Sequence, residues 1–179
     1  MVDILSKLRG GDRRSIGKVK DVVRAVRKKP DLFKDLVTGL FEEDPVVRMR
    51  AADAMEKLSL DNPKFLQPFK LKLMRLAKVS RQQELRWHIA QMIPRLKLTP
   101  KEAATMTEIL FGYLNDKSKI VVTFAMQALA DLALREAITS TRVIGAIEKL
   151  IQTGSPAIQS RGRKLLPALK NLSQERNAT

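Results

Sequence analysis

Five stretches of the chain carry the same apolar stripe at helical spacing, and this repetition limits the possible folds more than any other feature. The position of Val47 recurs at Ser15, Leu85, Val121 and Ile158, with successive separations of 32, 38, 36 and 37 residues. Four residues further on, the same register holds Val19, Ala51, Ile89, Ala125 and Gly162. Eight further on it holds Val23, Met55, Ile93, Leu129 and Leu166, and eleven further on Val26, Leu58, Leu96, Leu132 and Leu169. At 100° per residue these offsets fall on one side of an α-helix, so each stretch predicts a helix with one buried face. Small residues in the middle of the stripe let two helices approach closely.

The intervals between these helices contain partners. Segment 31–43 places Leu32, Phe33, Leu36, Val37, Leu40 and Phe41 at spacings of three and four, and segments 63–79, 99–115 and 141–153 predict further helices. Asp44-Pro45 marks one helix start, and Thr99-Pro100-Lys101-Glu102 has the form of a capping box with proline in the first turn. No stretch alternates apolar and polar residues between tight-turn dipeptides, so no strand is predicted. The fold class is all-α. A period in the upper thirties with two helices per unit is the pattern of a solenoid.

Segment 44–58, from Asp44-Pro45-Val46-Val47-Arg48 through Ala51-Ala52 to Leu58, resembles the second helix of a HEAT repeat. That family's helix follows Asp-Pro, carries Val-Arg, continues with small residues and closes on Leu. Pro68 resembles the proline that bends the first helix of many HEAT units. The segment from Asp116 departs from the pattern, with Val122 at the place of the arginine. The resemblance implies an α-α superhelix of about five helical-hairpin repeats, the first one degenerate. It would occupy residues 1–179 as one domain, with 1–11 as a leading segment and 173–179 as a frayed tail. It also implies a non-catalytic scaffold for macromolecules, with second helices lining the concave side and Arg48 and Arg86 in an architectural role.

With 34 Lys and Arg against 19 Asp and Glu, the net charge is +15, which favours a polyanionic or acidic partner. The charge is banded: residues 1–30, 61–100 and 141–179 carry +7, +7 and +5, while 31–60 and 101–140 carry −3 and −1. On the helix through Val47, the residues Val46, Met49, Arg50, Asp53, Glu56 and Lys57 point away from the apolar stripe. Reading the Arg50 position through the repeats gives Lys18, Arg50, His88, Phe124 and Arg161. Neighbours on the same face add Arg14, Lys57, Arg95 and Lys164. If the HEAT analogy holds, these line one basic groove. Trp87, the only Trp, stands at the Met49 position, and Phe124 and Ile120 are equally outward. There the indole would anchor an apolar side chain or stack on a base, unless it packs against the next repeat.

The chemistry open to the chain is narrow. There is no Cys, which removes disulfides, thiolate metal sites and thiol nucleophiles. His88 is the only His, so Glu84–His88 on one helix face reads as a surface pair and no metal site is expected. Phosphate-loop, dinucleotide and zinc-hydrolase motifs are absent, and no cofactor is implied. No apolar run is long enough to span a membrane, residues 1–11 lack a signal-peptide core, and a cytoplasmic protein is expected. Three functions remain. One is a scaffold gripping an acidic protein segment, and another is a solenoid contacting the phosphate backbone of nucleic acid. The third is a base-removing DNA glycosylase of HEAT-like form, with Trp87 and Asp131 in its groove; that reading lacks a second tryptophan.

Overall fold

Asp44 begins the helix that the sequence marks most clearly. Its extended backbone and a side-chain oxygen accepting from Val46 N–H at 2.8 Å cap α3, Pro45–Asp61, with proline in the first turn. Thr99 and Glu102 form the expected capping box of α6, Pro100–Tyr113, through Glu102 N–H to Thr99 Oγ1 (3.3 Å) and Thr99 N–H to Glu102 Oε2 (2.8 Å). The computed structural model describes residues 3–12, 15–135 and 138–177. Among these it contains nine α-helices joined by turns and four short 3₁₀ segments, with no strand. The all-α expectation is met, and no helix among the described residues is long and apolar enough to cross a membrane.

Close contacts divide the chain into two compact units, Met1–Leu96 and Lys97–Thr179. In the first, α1 (Val19–Lys28), α2 (Phe33–Gly39), α3, α4 (Lys70–Val79) and α5 (Gln83–Met92) follow one another. The long helix α3 contacts α1, α2 and α5, and also the 3₁₀ segments Ser6–Leu8 and Pro63–Phe69. It is thereby surrounded. Residues 3–11 of the leading segment are part of this packing, since Ile4 and Leu8 are almost fully buried. In the second unit, α7 (Lys119–Leu134) contacts α6, α8 (Ser140–Thr153) and α9 (Pro156–Asn177), and α8 and α9 form a hairpin.

The repeated stripe is the core of both units. Val26, Leu58, Leu96, Leu132 and Leu169 are all buried, as are Val19, Ala51, Ile89, Ala125 and Gly162. Ser15 is exposed because α1 begins only at Val19, and Leu166 is half-buried. The helices differ from expectation where proline intervenes. The segment expected as one helix over 63–79 is a 3₁₀ run, Pro63–Phe69, followed by α4. Pro68 has no N–H to donate, and its ring would clash with the carbonyl four residues back in an α-helical turn. Likewise α5 stops at Met92 and Ile93–Arg95 is 3₁₀, with Pro94 in its centre. At the other end α9 continues to Asn177, past the start of the tail expected to fray; residues 178 and 179 lie outside the described residues.

Candidate macromolecular interface

The expected groove cations separate into struts and free charges. Arg50 is a strut. Although it stands off the apolar stripe, it is only 2% exposed. Its guanidinium donates to the carbonyls of Leu8 (2.8 Å), Gly10 (2.6 Å), Asp12 (3.2 Å) and Ser15 (3.0 Å), with a longer contact to Arg9 O. Gly10 and Gly11, at φ +77° and +71°, let the leading segment turn so that its carbonyls converge on one cation. A planar fork of five donors suits such a set of converging acceptors. The outward placement expected for Met49, Arg50, Asp53 and Glu56 is therefore corrected: all four are buried. The stripe argument treats a helix as having one covered side, and α3 is covered by neighbours around most of its circumference.

Arg95 is a second strut. It donates to Glu56 Oε1 (2.6 Å), Glu56 O (2.7 Å) and Ser59 Oγ (2.7 Å), joining the 3₁₀ segment after α5 to α3. Arg48 donates to the carbonyls of Glu42 (2.6 Å) and Glu43 (2.8 Å) and to Gln82 Oε1 (2.8 Å). Gln82 in turn donates to Pro45 O at 2.8 Å, so the starts of α3 and α5 are tied together. Lys57 is neutralised by an ion pair with Asp53 one turn back.

His88 lies on α5 beside this charged patch, half-buried, with Nδ1 shielded from solvent and without a hydrogen-bond partner. Burial lowers its pKa to about 4; the Asp53 carboxylate opposes that, Lys57 adds to it, and Glu84 opposes it. The imidazole is neutral at pH 7 and adds no charge to a basic surface. The expectation of a surface pair is also corrected, since Glu84 is buried at 6% exposure and is approached at 3.4 Å by Gln83 Nε2. No group of three or more His, Asp or Glu able to hold a metal ion occurs among the described residues. Trp87 is half-buried.

The remaining candidates divide between the units. Lys18 is exposed at the start of α1 in the first, and Arg14 lies outside the described residues. In the second, Arg161 donates to Gln127 Oε1 at 2.6 Å, and Gln127 Nε2 donates to Asp131 Oδ1 at 2.8 Å, linking α9 to α7. Phe124 is half-buried, and Lys164 is exposed. A cleft of about 350 Å³ between α6 and α8 is lined by Phe111, Glu108 and Arg142. Its charge is already balanced: Arg142 pairs with Glu108 and stacks 3.9 Å above the Phe111 ring, and the hydrogen bond from Arg142 holds the Glu108 carboxyl below its usual range.

Comparison with protein-family models, with curated proteins and with solved structures finds no match. The interface rests on this chain's own geometry.

Exposed cations are concentrated on α4 and the segment before it. Residues 62–83 contain six Lys and Arg and no acidic residue. Lys64, Lys72, Arg75, Lys78 and Arg81 are exposed, and none pairs with a carboxylate among the described residues. Leu71 and Val79, at 73% and 58% exposure, stand among them. Leu71, Lys72, Arg75, Lys78 and Val79 follow one another at helical spacing, so they occupy one face. The +7 balance of residues 61–100 signalled this surface. The repeat register did not reach it, because α4 is a partner helix and lies outside the five-fold stripe.

Proposed function

We propose that the protein is a non-catalytic, HEAT-like helical scaffold that binds an acidic protein segment. The observation that supports this reading is the outer face of α4, where Lys72, Arg75 and Lys78 are exposed without carboxylate partners among the described residues and Leu71 and Val79 are exposed beside them. Unpaired cations steer an acidic partner and set the encounter rate, while exposed aliphatic groups among them supply packing that a phosphate backbone does not use. In this reading the repeats stack as an α-solenoid of about five hairpins, and recognition moves from the expected concave row to the outer face of a partner helix.

Nucleic-acid binding is the second reading. It is favoured by the +15 charge and by the further exposed lysines Lys18, Lys20, Lys28 and Lys29 on and around α1. Fluorescence anisotropy with a labelled Glu/Leu-rich peptide and with unrelated DNA and RNA, over a salt series, separates the two. The scaffold reading expects peptide binding that weakens gradually with salt and exceeds nucleic-acid binding at physiological ionic strength. Tighter binding to DNA or RNA under those conditions, with a steep salt slope, would replace it by the second reading.

A further inference from the structure

The same unit contains an aromatic cleft between the start of α2 and the 3₁₀ segment Pro63–Phe69. Its volume is about 460 Å³, within the range of pockets that hold a side chain or small ligand. Phe33, Phe65, Phe69, Pro30 and Pro68 form its apolar lining, and Lys34 and Lys64 stand at its rim with Asp31 and Asn62. Phe33 is buried and stacks on Phe65 at 4.9 Å between centroids and 11° between planes, with Phe69 at 5.9 Å. This stack fixes the cleft floor to α2. Phe65 and Phe69 are only half-buried, so part of each ring remains open to the cleft.

The cleft and the basic face of α4 belong to one strip of surface. Pro68 lines the cleft and is exposed. Leu71 and Lys72 follow it by three and four residues, Arg75 by seven and Val79 by eleven, which keeps them on its side of a continuous 3₁₀-to-α run. Along this strip the charges are almost all of one sign. Lys34, Lys64, Lys72, Arg75 and Lys78 lack carboxylate partners among the described residues, and Asp31 is the one acid lining the cleft. An apolar pocket at one end of a cationic strip complements a chain with an apolar anchor flanked by carboxylates. A nucleic acid matches the cations and leaves the prolines, Leu71 and Val79 without a use.

Resting on the scaffold reading above, we infer that this strip is the docking surface, and that its occupant is an acidic peptide segment inserting one Leu, Phe or Trp side chain into the Phe33–Phe65–Phe69 cleft. The anchor supplies the slow step of dissociation, and the α4 cations supply the fast, salt-sensitive association. This recognition surface lies off the predicted groove and does not use Trp87 or His88.

Selection of random peptides displayed on phage against the full chain, followed by aromatic-ring NMR of the protein with the selected peptides, tests this. Selected peptides are expected to combine Asp or Glu with one large apolar residue and to shift the ring signals of Phe65 and Phe69. The double variant Lys72→Glu/Arg75→Glu should lower their affinity by roughly tenfold or more, with the loss shrinking at high salt. Phe65→Leu, with its fold checked by thermal melting, should lower affinity several-fold with little salt dependence. Acidic peptides that bind without moving these rings and are indifferent to both variants would overturn the docking surface and leave the scaffold reading standing. Failure to enrich acidic peptides, with DNA, RNA or anionic vesicles binding the α4 face instead, would overturn both.

Discussion

Arg50 on α3 and Arg75 on α4 are arginines near the middle of consecutive helices in the same unit, yet they have opposite fates. Arg50 is sealed among backbone carbonyls of the leading segment, whereas Arg75 is exposed and has no carboxylate partner among the described residues. The same division holds for their neighbours. On α3, Asp53 pairs with Lys57 and Glu56 with Arg95; on α4, Lys72 and Lys78 are free of carboxylates among the described residues. Position within the packing makes this difference. A polar side chain on a helix contacted by three other helices must find partners inside the protein, and one on a flank helix keeps its partners in water. Charge on α3 therefore contributes to the fold, whereas Lys72, Arg75 and Lys78 on α4 stay exposed to solvent.

This contrast breaks most visibly at Arg50. Arg50→Ala strands the buried Leu8 carbonyl and releases the Gly10, Asp12 and Ser15 carbonyls that fasten the leading segment, and it should cost about 3–5 kcal/mol of stability in denaturant titration. A loss below about 1 kcal/mol would mean that the leading segment is not held by this guanidinium. Arg95→Met should follow at about 3 kcal/mol, because it strands the buried Glu56 carboxylate. Pairing it with Glu56→Gln should recover part of the loss, and an additive double variant would sink the ion-pair explanation.

His88 sharpens the contrast through pH. Its folded pKa of about 4 lies below the unfolded value of 6.5, so the unfolded chain takes up the proton first as pH falls. Its contribution is complete above pH 6.5 and is lost as pH falls from 6.5 through 4, by up to about 3 kcal/mol. His88→Gln should flatten that part of the stability profile, and an unchanged slope between those values would show that other groups produce it. A smaller effect is expected at Gly17, where φ is +52° and an added Cβ would lie 2.8 Å from Arg50 Cζ. The guanidinium is held by carbonyls and yields little, so Gly17→Ala should cost about 1–2 kcal/mol in thermal melts. At the far end of the scale, Lys72→Ala and Arg75→Ala should each change stability by less than about 0.5 kcal/mol. A larger loss would mean that α4's cations serve the fold as α3's do.

How far the sequence could be read follows from the reach of each interaction. Helix positions, the Asp44 and Thr99 caps and the buried stripe depend on neighbours within a turn or two, and periodicity records them directly. The same stripe misplaced Arg50, because its acceptors are the carbonyls of Leu8 to Ser15, some forty residues away in the chain. No local pattern marks that contact; the Gly10-Gly11 pair is the nearest hint, since two glycines in an otherwise basic segment allow the required turn. Arg95 escaped for the same reason, as its partners Glu56 and Ser59 lie on α3, some forty residues away in the chain.

The candidate interface divides along the same line. Net charge, its banding and the acid-free stretch 62–83 are properties of composition, and they are present in the sequence whatever the fold. Which of those cations remain free is a property of packing. Desolvation and hydrogen bonding consume Arg50, Arg95 and Arg161 in contacts between elements, and they leave Lys64, Lys72, Arg75 and Lys78 facing water. Helical periodicity marks the side of a helix that is apolar, but only the neighbours brought by the chain's folding determine how many of its other sides are covered.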